Sequence, residues 1–297
     1  LTNSMDTIIG LGEAGCNLAD AFGKYKQYQI YKIDVGLKGL KKNGIYDMPW
    51  QSNPERYEEK CPNMKNFFKN CSGDVLFIVG GSGDISGATL RILSHLRHCK
   101  VSILYVRPDI KLLPAAKKRQ EWMAFNVLQE YARSAVFERL WLVDNPTVEA
   151  IIGEVPVIGY HNKLNELIVS TFHMLNVYNH IDAVVATFPE PLEAHRISTL
   201  GLYDLEKDVK KLFFPLYKTR DLRYYYAINK ERLENDGKLF ANIKEQVKNS
   251  VTTETQTSYG VYSTTYDVDY AYVCCHTPRI QRQKINNEPP LDFLLDK

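Results

Sequence analysis

Apolar and polar positions change rhythm along this chain, and those changes divide it into elements. Short β-branched or continuous apolar runs at Thr7 to Ile9, Ile30 to Asp34, Val75 to Val79, Val101 to Val106 and Leu140 to Val143 predict buried strands. Helical spacing resumes between them: Leu18, Ala21 and Phe22 after the first strand, Ala88 onward after the third, and Lys117 to Ser134 after the fourth. The last of these places Trp122, Phe125, Leu128 and Tyr131 on its apolar side. Strands alternating with helices predict a parallel sheet that meets its ligand at the carboxyl ends of the strands. From Pro156 to Tyr178, apolar residues (Leu164, Leu167, Ile168, Phe172, Leu175) occupy much of a helix circumference, which predicts one long buried helix with Pro156 in its first turn.

Beyond Asn179 the texture becomes β-rich. Leu212 to Pro215, Arg223 to Ile228, Gly260 to Thr265 and Asp269 to Cys275 predict strands, with a helix at Leu233 to Val247 between them. The expected fold class is α/β: a Rossmann-like parallel-sheet domain over 5–178 that includes the central helix at 156–178, then a smaller α+β domain with a mixed sheet over 179–285. Lys41 to Asn70, punctuated by Pro49, Pro54 and Pro62, predicts loop and short helices anchored by Trp50 and Tyr57. A short tail at 286–297 carries Pro289-Pro290 and an apolar hook, Leu291 to Leu295, able to dock on a partner protein or on the chain's own body.

Two glycine-rich loops carry the candidate chemistry. The first, Gly10-Leu11-Gly12-Glu13-Ala14-Gly15-Cys16-Asn17, is a G-x-G-x-x-G fingerprint with a strand before it and a helix after it. Asp34 ends the second strand where a ribose-contacting acid is expected, although an ordinary turn or cap role fits it equally. The second loop, Gly80-Gly81-Ser82-Gly83-Asp84-Ile85-Ser86-Gly87, has the makings of an anion cradle: glycines admit close backbone approach, Ser82 and Ser86 add hydroxyls, and a helix start at Gly87-Ala88 offers N–H groups. A tight strand-to-helix turn without ligand would use the same residues. A dinucleotide fold needs one such loop, whereas a site wrapping a triphosphate from two sides uses both. No G-x-x-x-x-G-K-[ST] occurs, so the chain is no P-loop NTPase, and phosphate charge would be met by backbone dipoles and a metal ion.

Two further features sit near helix starts. Lys117-Lys118-Arg119 opposes the helix macrodipole, which calls for a nearby anion or acidic neighbour unless the run is simply solvated. Tyr160, His161 and Asn165 open the central helix; His161 and Asn165 lie one turn apart, placed to stack on and hydrogen-bond a planar base, or to serve as satisfied core polar groups.

Composition narrows the function classes. With 297 residues, 44% of them apolar, the chain can bury a large core. A net charge of +2 in mixed signs leaves no footprint for direct nucleic-acid binding or for an anionic membrane. Six cysteines (Cys16, Cys61, Cys71, Cys99, Cys274, Cys275) lack metal-ligand spacing, predicting reduced thiols and a cytoplasmic protein. No apolar run approaches the ~18 residues that span a bilayer, so membrane insertion is not expected, and no secretory leader pattern is visible. Leu1 to Ser4, ahead of Met5, reads as an added segment outside the fold.

The order of these features resembles the tubulin/FtsZ superfamily of GTPases over most of the chain. GLGEAGCN, Gly10 to Asn17, is similar to that family's first nucleotide loop, and GGSGDISG, Gly80 to Gly87, to its G-G-G-T-G-S/T-G signature, with Ser82 replacing the third glycine and Asp84 and Ile85 at the Thr-Gly step. Lys117 to Ile152 is similar to the family's K-R-x-x-A helix, strand and N-D loop. The resemblance implies that the parallel-sheet domain binds GTP or GDP with Mg2+, Arg119 lying near the ribose, Asn145 at the guanine edge, Asn165 on the base, Tyr160 or His161 at the stacking position, and Asp34 on the second-strand loop. It also implies head-to-tail polymerisation with copies of the same chain, hydrolysis falling at the subunit junction.

In that family the loop after the central helix carries N-x-D-x-x-D/E onto the neighbour's γ-phosphate. Here it reads His180-Ile181-Asp182-Ala183-Val184-Val185. Asp182 matches the first acid, acting in trans; Val185 replaces the second and His180 the asparagine, which implies slow or absent hydrolysis unless Glu190 or Glu193 reaches in. The tail is loosely similar to the FtsZ terminal peptide, and the divergence suits a phage- or plasmid-encoded relative as well as a cellular one. Two other functions remain open: a non-hydrolysing tubulin-like protein that regulates or blocks another filament, and a Rossmann oxidoreductase using Gly10 to Gly15 and Asp34, which leaves the second glycine loop unexplained.

Overall fold

The computed structural model describes residues 5–37, 44–190 and 192–282; Leu1 to Ser4 and the tail at 286–297 lie outside the described residues. Strands and helices alternate through β1 (Met5–Leu11), α1 (Gly12–Phe22), β2 (Gln29–Asp34), β3 (Ile45–Asp47), α2 (Pro54–Glu59), β4 (Asp74–Gly80), α3 (Thr89–Leu93), β5 (Lys100–Arg107), α4 (Ala115–Arg133), β6 (Arg139–Asp144) and α5 (Asn145–Ile152). The long helix α6 (Tyr160–Tyr178) follows. Then come β7 (Val185–Ala186), β8 (Ile197–Asp204), β9 (Val209–Leu212), β10 (Asp221–Asn229), α7 (Lys230–Asn235), α8 (Leu239–Asn249), β11 (Gln256–Thr264) and β12 (Tyr270–Thr277).

Among the described residues the strands form one sheet in the order β3-β2-β1-β4-β5-β6-β8-β12-β10-β11-β7, with β9 on β8. From β3 to β6 every pairing is parallel. Beyond β8 the sheet is mixed, β12 running antiparallel to both β8 and β10 while β10 and β11 are parallel. The two regions meet through a short parallel seam, Leu140 opposite Ile197 and Trp141 opposite Ser198. This is the expected α/β class with a mixed C-terminal sheet.

The helix α6 covers that seam. Its Phe172 meets Phe22 of α1 edge-on at 6.0 Å and Trp141 of β6 at 5.6 Å, and Tyr178 at its far end packs on Tyr262 of β11 at 4.5 Å. Apolar residues therefore surround this helix because it has sheet on one side and other elements along its flanks. On the opposite face Phe77, Tyr105, Phe125 and Phe137 form a second core, and α8 lays Leu239, Ile243 and Val247 against β10 and β12 to form a third.

Several predicted elements differ in detail. The long helix starts at Tyr160, because Gly159 takes the left-handed conformation (φ 87°), so Pro156 stands outside its first turn. The helix expected at Leu233 to Val247 is broken into α7 and α8, Asp236 accepting from the amides of Lys238 and Leu239 and restarting the chain as a cap. The predicted strand at Leu212 to Pro215 begins where β9 ends. β8 was absent from the predicted strands: Ser198, Thr199 and Gly201 interrupt its apolar run, yet all three are buried, Thr199 Oγ1 donating to the Leu142 carbonyl at 2.9 Å.

The buried face of α4 keeps the expected Phe125 and Leu128 but is turned away from Tyr131. Glu121, Phe125, Leu128, Gln129 and Ala132 point inward, while Tyr131 is exposed. Polar groups are admitted because they are paired, Glu121 receiving the Tyr105 phenol at 3.0 Å and Gln129 exchanging bonds with the Gln281 backbone. Trp50 is 71% exposed and anchors nothing, whereas Tyr57 is buried as expected. Among the described residues no helix is long and apolar enough to cross a membrane.

Candidate functional site

The C-terminal ends of β2, β1, β4, β5 and β6 align along one edge: Leu11 faces Ile33 and Val79, Gly80 faces Val106, and Arg107 faces Asp144. Loops leaving parallel strands at a common edge converge, and both glycine loops leave here.

In the first loop Gly12 (φ 71°) turns β1 directly into α1. A side chain on Gly10 would overlap the Gly15 carbonyl, and one on Gly15 would stand 2.5 Å from the Ile78 carbonyl, so these two glycines let α1 lie on β1 and β4. Glu13, Ala14 and Asn17 are exposed on the first turns of α1. Cys16 is buried, its sulfur directed at the carbonyls of Gly10 and Ile33 at 3.5 and 3.7 Å. Burial, reinforced by the Asp34 charge, pushes its thiol up to about 12, so it packs as a small apolar residue and is no nucleophile. Asp34 Oδ1 accepts from the Val35 amide at 2.8 Å, a turn cap, while burial and then the Glu13 charge raise its carboxyl above the usual range.

The second loop is built differently from the sequence expectation. Instead of a regular helix from Ala88, a 3-10 turn at Asp84–Ala88 leads into the five-residue α3 and a second 3-10 turn at Ser94–Leu96. Gly87 abuts the Pro54 carbonyl with no room for a side chain, and the helix that follows the loop, α3, is only five residues long. Gly81 is held just as closely, the Tyr105 hydroxyl filling the space a Cβ would take. The Ser86 hydroxyl turns inward to the Gly81 carbonyl at 3.4 Å; Ser82 is half-buried and Gly83 is the exposed apex. The two loops touch. A Cβ on Gly12 would stand 2.8 Å from Ile85 Cγ2, and one on Gly80 would meet the Ala14 Cβ at 3.7 Å.

Asp84 has a partner: Lys117 Nζ lies 2.6 Å from its Oδ1. Gln120 Nε2 donates to the Gly83 carbonyl at 2.6 Å, and Lys117 also reaches Gln120 Oε1 at 3.2 Å. The basic start of α4 thus has the acidic neighbour it needed; Lys117, marked in the sequence by the unfavourable charge at a helix N-terminus, joins the site together with Gln120, which nothing in the sequence marked. Arg119, the singled-out residue of that run, is exposed on the same turn.

The remaining candidates gather around the starts of α5 and α6. Asp144 accepts from the Thr147 amide at 3.3 Å and its hydroxyl at 2.6 Å, capping α5, whose first residue is the half-buried Asn145. Tyr160 meets His161 edge-on at 5.1 Å, and burial followed by a hydrogen bond to Glu149 raises its phenol pKa. His161 is exposed and Asn165, one turn on, is half-buried. Asp182 stands apart. It lies beyond the C-terminus of α6, exposed, with Ile181 and Val184 also exposed, while Val185 pairs with Val261 in the edge strand β7. The nineteen residues of α6, about 28 Å at 1.5 Å per residue, separate it from Tyr160 and His161 at the start of that helix. Glu190 and Glu193 are exposed as well.

Two surface cavities of about 450 and 730 Å³ lie in the C-terminal region, lined in part by His195 and Arg220 and by Asp204 and Asp269; neither includes a glycine-loop residue. Among the described residues no three His, Cys, Asp or Glu side chains converge as metal ligands.

A parallel sheet with two glycine loops at one edge, a long helix across a seam, and a mixed sheet beyond it define an α/β protein of the tubulin/FtsZ fold. Solved structures bear this out. The GTPγS-form protofilament of Bacillus thuringiensis serovar israelensis TubZ is similar with a TM-score of 0.68 at 15% identity, over 92% of this chain and 86% of that one. The empty FtsZ dimer of M. jannaschii gives 0.65 at 12%, over 93% and 89%, and GDP-bound CetZ1 from Haloferax volcanii gives 0.64 at 16%, over 93% and 94%. No family model and no curated protein matches the sequence.

Proposed function

We propose that this chain is a guanine-nucleotide-binding protein that assembles head-to-tail into filaments, with slow hydrolysis at the junction between copies. The observation that carries the proposal is the separation of two half-sites along α6. Both glycine loops sit at one strand edge, and Asp182 stands exposed beyond the opposite end of α6. Within one copy those groups cannot meet; in a stack of copies, the Asp182 end of one faces the loops of the next. The similar structures include a GTPγS-form protofilament and a GDP-bound monomer, in keeping with this reading.

The reading assigns Gly10 to Asn17 and Gly80 to Gly87 to the phosphates, Asn145, Asn165 and Tyr160 or His161 to the base, and Arg119 and Asp34 to the ribose side. Mg2+ would travel on the phosphate oxygens and water, since no carboxylate cage stands ready for it among the described residues. Val185, an apolar strand residue, offers nothing to orient water, hence the slow turnover. The domain reading, 5–178 for nucleotide and 179–285 for the second unit, accompanies this proposal.

The test is nucleotide titration of the purified protein, followed by light scattering and phosphate release with GTP and Mg2+. Tight binding of GTP or GDP with concentration-dependent assembly supports the proposal. Binding without assembly at any concentration favours the alternative, a regulator of another filament.

A further inference from the structure

We infer that Lys117 is the side chain that meets the phosphate charge of the bound nucleotide, and that Asp84 and Gln120 hold it in place for that task. The inference rests on the nucleotide reading above and adds a cation to it. Neither glycine loop contains a lysine or arginine; beside the first loop Lys32 is taken up by Asp20 at 2.8 Å, while Glu13 raises the pKa of Asp34. An anionic ligand entering between these loops meets two carboxylates there and a third on Asp84. Without a further cation at the loops, backbone N–H groups and the metal ion travelling with the phosphates would have to offset all of them.

Lys117 changes that balance. Its ammonium is joined to the second loop through Asp84 at 2.6 Å and is steadied by Gln120 Oε1 at 3.2 Å. Gln120 in turn grips the loop apex through the Gly83 carbonyl at 2.6 Å. An ammonium has three N–H donors, and these two acceptors use two of them. The third has no acceptor among the described residues, and the side chain is 33% exposed, so the donor is open to a ligand. Asp84 is thereby neutralised as a source of repulsion and becomes a positioning residue for Lys117. The geometry differs from a P-loop, where the lysine belongs to the loop itself; here it arrives from the first turn of α4 and is clamped from outside.

The ligand chemistry that follows is a nucleoside di- or triphosphate, recognised at its phosphates. Lys117→Met is expected to weaken GTP and GDP binding roughly tenfold or more, the scale of one charged hydrogen bond, while leaving guanosine binding unchanged. Lys117→Arg should retain most of the affinity, and the salt dependence of GTP binding should be shallower in Lys117→Met than in the wild type. Amine acetylation of the unmodified protein, read by mass spectrometry, should show Lys117 protected by GTP and unprotected by guanosine. Wild-type binding with an equally tight Lys117→Met overturns this inference alone. A wild-type protein that binds neither GTP nor GDP overturns the nucleotide reading, and this inference with it. Should Lys117→Met fail to fold, the acetylation result decides: a Lys117 that GTP leaves fully reactive is not a phosphate contact.

Discussion

Arg107 and Asp144, at the ends of the adjacent strands β5 and β6, form an ion pair with Nε and Oδ1 2.6 Å apart, both side chains largely withdrawn from solvent. The guanidinium also lies over the Phe214 ring at 4.8 Å, and the other Asp144 oxygen caps α5 just before Asn145. Removing the cation would strand a buried carboxylate at the heart of the candidate base pocket. Arg107→Met is therefore expected to destabilise the protein by about 3 kcal/mol in urea unfolding. Asp144→Asn, which keeps an N-cap acceptor, should cost less. Equal stability of Arg107→Met and wild type would show the pair to be unimportant.

The glycines of the two loops should separate by role. Gly10→Ala drives a methyl into the Gly15 backbone and forces α1 off the sheet, an expected loss of about 3 kcal/mol. Gly83 has an ordinary extended backbone (φ −77°) and its nearest neighbour to an added Cβ is 3.9 Å away, so Gly83→Ala should leave stability within about 0.5 kcal/mol. Urea curves of both variants check the contrast. If Gly83→Ala then weakens GTP binding, the apex glycine serves the ligand and not the fold.

Acid should destabilise this protein in a defined window. His173 stacks on Tyr25 at 3.6 Å, and its Nδ1 lies 2.9 Å from the Tyr28 hydroxyl and 3.3 Å from Gln27 Nε2, an amide donor that suits the neutral ring. Burial, with the Lys24 charge behind it, lowers its pKa from 6.5 to about 4. The unfolded chain therefore binds the proton first. Stability contributed by the neutral ring is complete above pH 6.5 and is lost as pH falls from there towards 4. His195 and His276, also lowered by burial, act in the same direction. Thermal melting across that window should show a falling Tm, with a flatter slope in His173→Gln. An unchanged slope would remove His173 from the account.

At the far end of α6, Asp182→Ala should leave nucleotide affinity unchanged while slowing phosphate release and lengthening filament lifetime in sedimentation assays. A matching loss of affinity would place Asp182 in its own copy's site. Val185→Asp introduces a carboxylate into an exposed edge strand that tolerates polarity, and it should raise GTP turnover if the missing second acid limits the rate.

Much of the fold was legible because its signals are local. The runs that became β4, β5 and β6 are continuous and apolar, as strands covered on both faces must be, and a glycine loop ends β4 abruptly. β8 escaped notice because its polar residues are satisfied chiefly by distant partners, Thr199 by Leu142 and Ser198 by His276. Tyr131 and Trp50 misled for the converse reason: an aromatic residue signals burial only when some other element covers it.

The sequence by itself determined the alternation of elements, the two loops and the odd basic start of α4, since each depends on neighbours within a few residues. Only the tertiary structure decided that the loops touch through Ile85 and Gly12, that Lys117 closes on Asp84, and that Asp182 stands exposed beyond the C-terminus of α6. Those relations join residues far apart in the chain, through packing and charge that no local pattern records. Asp84 shows the difference most clearly: in the sequence it is a carboxylate set among the glycines of a candidate anion loop, and in the fold it is half of an ion pair.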